Sequence, residues 1–207
     1  SESATATNLD IARASAEFKG ETNVLFESAG TVVNRQFTGA SDTWENGGNV
    51  NFPYRSISTT GSYSGASNYT ISHTTVGENR CLVVVLQANT QFPDPSNVTY
   101  NGVSMTKAGS VVGAGAGVTS VAVYYLANPA IGTNNIFLDW STGSGNFTSG
   151  HVATVSAINL VGIDQDSPVR NTETTTANPG TSITDDITTV AGDLVIAALT
   201  VDDGPTI

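Results

Sequence analysis

The sequence is poor in cysteine and in charged residues, and each shortage excludes a class of protein. Its 207 residues include one cysteine, so no disulfide framework can form within the chain. A chain of this length buries enough surface to fold without such cross-links. Charged residues make up 12% of the sequence, about half the usual share of a soluble protein. We therefore expect a protein whose polarity comes from uncharged side chains.

Positively charged residues are especially rare in this sequence. Seven Lys and Arg residues stand against eighteen Asp and Glu residues, which gives a formal net charge of −11. Binding to nucleic acid needs clustered Lys and Arg, so we predict no nucleic-acid partner. No stretch is long and apolar enough to cross a bilayer, which predicts no membrane insertion.

The sequence motifs of common enzymes are also missing. The stretch 61–65 has Tyr63 where a hydrolase elbow needs serine, and the glycine run 113–117 lacks the spacing of a dinucleotide loop. His73 and His151 lie far apart and follow strand patterns. Cys81 belongs to an apolar run, which favours a buried hydrophobe over a reactive thiol. We predict that the chain is not an enzyme and has no catalytic residues.

Thr, Ser, Asn and Gly are abundant instead, and they suit strand faces and turns better than helices. Residues 69–76 alternate between polar and apolar, and the apolar run 81–87 predicts a central strand buried on both faces. Asn101-Gly102 between 98–100 and 103–106 predicts a type I′ hairpin. These regular short strands predict an all-β protein with a jelly-roll or Ig-like antiparallel β-sandwich.

The first fifty residues differ from the rest of the chain. Residues 8–18 carry a thin helical stripe, although an extended arm fits them equally well, and 23–27 and 31–37 suggest short strands. The turn signal at 46–49 marks a boundary. We therefore predict an N-terminal arm with short strands over 1–50 and a sandwich domain over 51–207.

Five motifs resemble a known module in the same order. They are Ile-Ser-His-Thr-Thr at 71–75 with Asn-Arg-Cys-Leu-Val-Val at 79–84, and the stretches 98–106, 125–129, 162–165 and 191–195. The module is a jelly-roll-like β-sandwich repeated in secreted and surface multidomain proteins of bacteria and archaea, and in some phage structural proteins. The resemblance implies an extracellular module without a catalytic set. In that family further strands follow the last motif, so we expect a sandwich that is incomplete at its C-terminus or completed by another chain.

These observations predict a non-catalytic structural subunit or adhesive module of an extracellular or cell-surface assembly, such as a filament, a pilus-like structure or a fibre. Copies of the chain would polymerise by β-strand complementation at an open edge near 193–201. The alternative is a carbohydrate-binding module of a larger secreted protein, with surface glycans as partners. Trp44, Trp140 and several tyrosines would then form a stacking platform, although core packing is the simpler interpretation of these residues. The residues predicted for the exchanged arm are Val24, Leu25 and Phe26, followed by Val32, Val33 and Phe37.

Two further kinds of site are predicted on turns and strands. Asp164, Asp166, Asp202 and Asp203 lie at predicted strand ends, where carboxylates would suit Ca²⁺, although solvated loop acids are the simpler interpretation. No other cofactor is predicted. Three Asn-X-Thr triplets are candidate N-glycosylation sites, at Asn68, Asn97 and Asn146.

Overall fold

The computed structural model describes residues 4–18, 54–63, 68–88, 94–113, 119–140, 153–184, 186–190 and 192–202. Within these residues the regular structure is all β, with twelve strands and no helix. The strands are β1 (Ala4–Phe18), β2 (Tyr54–Tyr63), β3 (Asn68–Thr75), β4 (Cys81–Ala88), β5 (Asn97–Tyr100), β6 (Val103–Ser104), β7 (Thr106–Val112), β8 (Ser120–Ala127), β9 (Gly132–Asp139), β10 (Ala153–Leu160), β11 (Val169–Ile183) and β12 (Leu194–Asp202). The part of the chain that the structure describes contains no helix that could cross a membrane.

The strands form three antiparallel sheets. A five-stranded sheet has the order β2-β10-β4-β8-β7, a four-stranded sheet has the order β3-β9-β5-β6, and a three-stranded sheet has the order β11-β1-β12. Two hydrophobic clusters show that the five-stranded sheet is packed on both faces. The predicted all-β antiparallel sandwich is therefore confirmed.

The central strand β4 shows why both faces are covered in the five-stranded sheet, which is the middle sheet of the three. Leu82, Val84 and Leu86 belong to one hydrophobic cluster, whereas Val83 and Val85 belong to the other. Successive side chains of a strand point to opposite faces, so an unbroken apolar run requires a packed layer on each side. The predicted burial of this strand on both faces is confirmed.

The first core lies between the four-stranded and five-stranded sheets. It contains Ile136 and Leu138 from β9, Tyr100 from β5 and Trp140 just beyond β9. Trp140 is 3% exposed, so it packs in the core and does not offer a sugar-stacking surface. Trp44 lies outside the described residues.

The second core lies between the five-stranded and three-stranded sheets. Phe18 and Ala16 of β1 meet Val83 of β4 and Val123 of β8 there, and Ala198 of β12 joins them. Residues from both ends of the described chain thus share one core. The three-stranded sheet packs on the middle sheet through these buried side chains, and β1 is the central strand of the three-stranded sheet.

The hairpin between β5 and β6 turns as predicted. Asn101 has a φ of 50° and Gly102 a φ of 77°. Thr99 pairs with Ser104 and Tyr100 with Val103. Positive φ at both turn residues matches the right-handed twist of the flanking strands, which is why Asn-Gly is favoured at this position.

Residues 8–18 are strand throughout, which agrees with the extended alternative and not with the helical one, because β1 pairs with a neighbour on each side. Positions 182 and 183 end the long strand β11. β12, which contains the apolar run 194–199, lies at an edge of the described sheet, with Leu194 and Ile196 packed on the core and Val195 exposed.

The segments predicted as arm strands, 23–27 and 31–37, lie outside the described residues, as does the boundary predicted near 46–49. The domain division at residue 50 therefore stays a prediction. What the structure adds is that β1, from the predicted arm, lies inside the three-stranded sheet.

Candidate functional site

The most distinctive feature of the fold is the position of its first strand. β1 lies between β11 and β12, which follow each other along the chain. Its pairing with β12 is continuous from Asp10 opposite Asp202 to Phe18 opposite Leu194. Its pairing with β11 is interrupted by register shifts. We call the space between β11 and β12 that β1 occupies the slot.

Phe18 anchors β1 in the slot. Its side chain is 0% exposed, and so is that of Ala16. The Phe18 ring lies edge-to-face against Tyr125 of β8, with ring centroids 6.2 Å apart and ring planes at 82°. This geometry is one of the preferred arrangements of aromatic pairs. β1 is therefore fixed both by main-chain pairing within its sheet and by packing on the middle sheet.

An ion pair joins the two walls of the slot near Phe18. Arg170 Nε of β11 donates to Asp193 Oδ2 over 2.8 Å, and Arg170 Nη2 donates to Asp193 Oδ1 over 3.3 Å. The same carboxylate accepts the N–H of Val190 at 3.0 Å. Asp193 directly precedes β12, and the Asp193 side chain is 3% exposed. Bidentate pairs of this kind fix geometry as well as charge, so the ion pair holds the ends of β11 and β12 together.

A long connection leads from the slot to the rest of the fold. β1 ends at Phe18 and β2 begins at Tyr54, so about 35 residues join them. A connection of that length has a maximum extended reach on the order of 100 Å. The length of this connection therefore does not restrict β1 to the slot of its own chain.

A second surface of interest is the solvent-facing side of the four-stranded sheet, which we call the outer face. Strand alternation places hydroxyl and amide side chains there, together with one acid and one aromatic ring. Thr74 and Thr133 hydroxyls lie 2.7 Å apart across two of its strands. The outward residues are Asn68, Thr70, Ser72 and Thr74 on β3, Thr133, Asn135, Phe137 and Asp139 on β9, Asn97 and the buried Thr99 on β5, and Ser104 on β6.

Two of the predicted glycosylation triplets lie on this outer face. Asn68 and Asn97 are both exposed, and both are paired with Asp139 from opposite sides of β9. The threonines of the same triplets, Thr70 and Thr99, are both paired with Phe137. Asn146 lies outside the described residues. Glycosylation of these three sites stays a prediction.

The buried histidine belongs to a polar group inside the first core. His73 is 1% exposed, and burial lowers the pKa of its imidazole. Nearby, the Tyr100 hydroxyl lies 3.0 Å from the carbonyl oxygen of Gly132 and accepts from Asn134 Nδ2 at 3.3 Å. Asn159 pairs with the main chain of Val76 through both amide atoms, at 3.3 and 3.1 Å. The Tyr100 contacts join β5 to β9 within the four-stranded sheet. The Asn159 contacts join β10 of the five-stranded sheet to the residue that follows β3. His151 lies outside the described residues.

The predicted calcium residues divide between described and undescribed positions. Asp164 Oδ1 accepts the backbone N–H groups of Asp166 at 3.0 Å and Ser167 at 3.1 Å, which closes a local turn. Asp202 is the last residue of β12, and Asp203 lies outside the described residues. The described residues contain no group of three or more His, Cys, Asp or Glu side chains arranged to hold a metal ion. Calcium binding therefore stays a prediction.

The single thiol is placed in the second core. Cys81 is 0% exposed, and burial raises its pKa to about 12. A thiol held in this protonated form is a poor nucleophile. The residues predicted for the exchanged arm, from Val24 to Phe37, lie outside the described residues.

Comparison with known proteins gave no match to a family model, a curated protein or a solved structure. The resemblance to the jelly-roll-like surface module therefore stays a prediction.

Proposed function

We propose that the chain is a non-catalytic structural subunit of an extracellular or cell-surface assembly, and that its copies polymerise by strand complementation. In this scheme β1 of one copy occupies the slot of the next copy. The observation that carries the proposal is the insertion of β1 between β11 and β12, with Phe18 fully buried.

Removal of β1 from the slot would destabilise the fold, so we expect an empty slot to bind another strand. Without β1, the facing edges of β11 and β12 would lose their main-chain partners along the whole strand. Unpaired edges recruit other strands. The core positions filled by Ala16 and Phe18 would be exposed as well. An occupant must therefore supply both main-chain pairing and a large apolar side chain.

The same contacts form whether the occupying strand comes from its own chain or from another copy. The residues of the slot and of β1 are identical in both cases, so the choice depends on the connection from β1 to β2. Its length of about 35 residues permits exchange between copies. A head-to-tail exchange of this kind propagates into a filament unless it closes into a ring.

The proposal moves the exchanged segment from the arm that the sequence suggested to β1. The residues Val24 to Phe37 fall in the connection between β1 and β2. The low share of charged residues and the wealth of Thr, Ser and Asn support an extracellular location, as the sequence predicts.

Electron microscopy of undenatured protein tests the proposal, with size-exclusion light scattering over a range of concentrations. We expect filaments or a ladder of oligomers, because each slot accepts a strand from a neighbour. A chain lacking residues 4–18 is the matched control and should not polymerise with itself. A monomeric full-length chain at every concentration would overturn the proposal.

A further inference from the structure

We infer that the outer face of the four-stranded sheet binds a neutral saccharide, with Phe137 as the stacking residue. This inference is independent of strand exchange, because the outer face lies on the far side of the first core from the slot. It assigns a position to the sugar-binding role that the sequence left as an alternative.

Phe137 is placed unusually for a phenylalanine in a strand. Its neighbours Ile136 and Leu138 are buried in the first core, so strand alternation turns Phe137 outward. It belongs to neither hydrophobic cluster and stays partly exposed. Among the residues of the outer face it is the one apolar side chain. An aromatic ring set among hydroxyls and amides can stack on the C–H face of a sugar ring.

The ring borders an open depression with polar walls. Asn101, Asn135 and Thr133 line this depression together with Phe137. Within the described residues, the side-chain amides of Asn101 and Asn135 make no hydrogen bonds to the protein, whereas the neighbouring Asn134 amide is held by Tyr100. A primary amide offers both donors and an acceptor, which suits a pair of adjacent sugar hydroxyls. Stacking and hydrogen bonding are thus available side by side.

Charge decides which class of saccharide fits. Among the described residues, no acidic or basic side chain lines the depression, and the nearest acid on the same face of β9 is Asp139, two residues beyond Phe137. The chain as a whole carries a net charge of −11. An anionic polysaccharide would be repelled by this field. A neutral polysaccharide meets no such barrier, so the structure favours it.

The test uses unglycosylated protein made in a bacterial cytoplasm, so that Asn68 and Asn97 carry no sugar over the face. Affinity electrophoresis in gels containing amylose, hydroxyethyl cellulose, glycol chitin or mannan measures retardation, with alginate as the anionic probe. We expect retardation by at least one neutral polymer and none by alginate. No retardation by any neutral polymer, or retardation by alginate instead, overturns the inference.

Variants locate the binding surface. Phe137→Leu keeps volume but removes the aromatic face, and Asn135→Ala removes one amide; each should weaken binding about tenfold, consistent with the loss of one stacking or hydrogen-bonding contact. Val112→Ala on β7 removes an exposed apolar side chain from a different sheet and should bind as the unaltered chain does. Thermal melts confirm that each variant is folded. Unchanged binding in both outer-face variants would refute the assignment of the site.

Discussion

The burial of Phe18 leads to a quantitative prediction for the slot. Phe18→Ala should lower the free energy of unfolding by about 3–5 kcal/mol, the usual cost of truncating a buried phenylalanine. The upper part of this range is expected, because the ring is 0% exposed and also loses its edge-to-face contact with Tyr125. Such pairs contribute roughly 0.5–1.5 kcal/mol beyond burial.

Urea denaturation followed by tryptophan fluorescence measures the effect at constant protein concentration. Trp140 is buried in the first core and reports on unfolding of the domain. Val112→Ala on β7 is the matched control, since Val112 is 43% exposed and its truncation should change stability by less than about 0.5 kcal/mol. A loss below about 1 kcal/mol for Phe18→Ala would mean that β1 does not fill the slot in solution.

The same experiment at several protein concentrations separates the two sources of β1. If each copy fills its own slot, the denaturation midpoint is independent of concentration. If neighbouring copies fill it, the midpoint rises with concentration, because assembly stabilises the folded state by mass action. We expect a midpoint that rises with concentration for the full-length chain, and a midpoint independent of concentration for the chain lacking residues 4–18, which has no strand to exchange.

Three further predictions concern buried groups. Burial lowers the His73 pKa below 6.5, so the unfolded chain takes up a proton first as the pH falls; stability should therefore drop below about pH 6.5, and His73→Gln should lose part of that pH dependence in urea titrations. Cys81 should resist iodoacetamide at pH 8 and react once urea unfolds the chain, because its pKa is raised to about 12; rapid labelling of the native chain would contradict its burial. Asn159→Ala should cost about 2 kcal/mol by removing both hydrogen bonds to Val76, and a neutral effect would show that water replaces them.

Strong local signals in the sequence led to correct predictions of the middle of the fold. The apolar run of β4 can be satisfied only by burial on both faces, and Asn101-Gly102 matches a turn that requires positive φ. These features depend on residues close together in the chain. They could therefore be recognised without knowing which strands become neighbours.

The three-stranded sheet could not be predicted in the same way. β1 carries alanines at 12, 14 and 16 before Phe18, a weak alternating pattern that a short helical stripe can imitate. β11 contains Asn178-Pro179-Gly180, an ordinary turn signal. The strand tolerates it because β11 lies at the edge of its sheet, and because its pairing with β1 shifts register between Gly180 and Ala177, where Asn178 and Pro179 lie. Whether these segments form strands depends on pairing partners more than 150 positions away in the sequence.

The outer face was missed for a related reason. Phe137 stands between Ile136 and Leu138, so three consecutive apolar residues hide which side of β9 each one faces. Only the pairing with β3 and β5 reveals that Thr70 and Thr99 flank Phe137. The two aligned glycosylation triplets were visible in the sequence, but their common register was not.

The central claim, that β1 occupies the slot of another copy, is tested most directly by cross-linking between chains. Ser15 is paired with Ala197, which is exposed, and paired positions in antiparallel strands lie within the Cα separation that a disulfide spans. Two differently tagged chains, one with Ser15→Cys and the other with Ala197→Cys, are co-expressed and oxidised. Strand exchange between copies predicts a disulfide that joins the two tagged chains. If no mixed product forms and the double variant Ser15→Cys/Ala197→Cys closes only within single chains, the claim is contradicted.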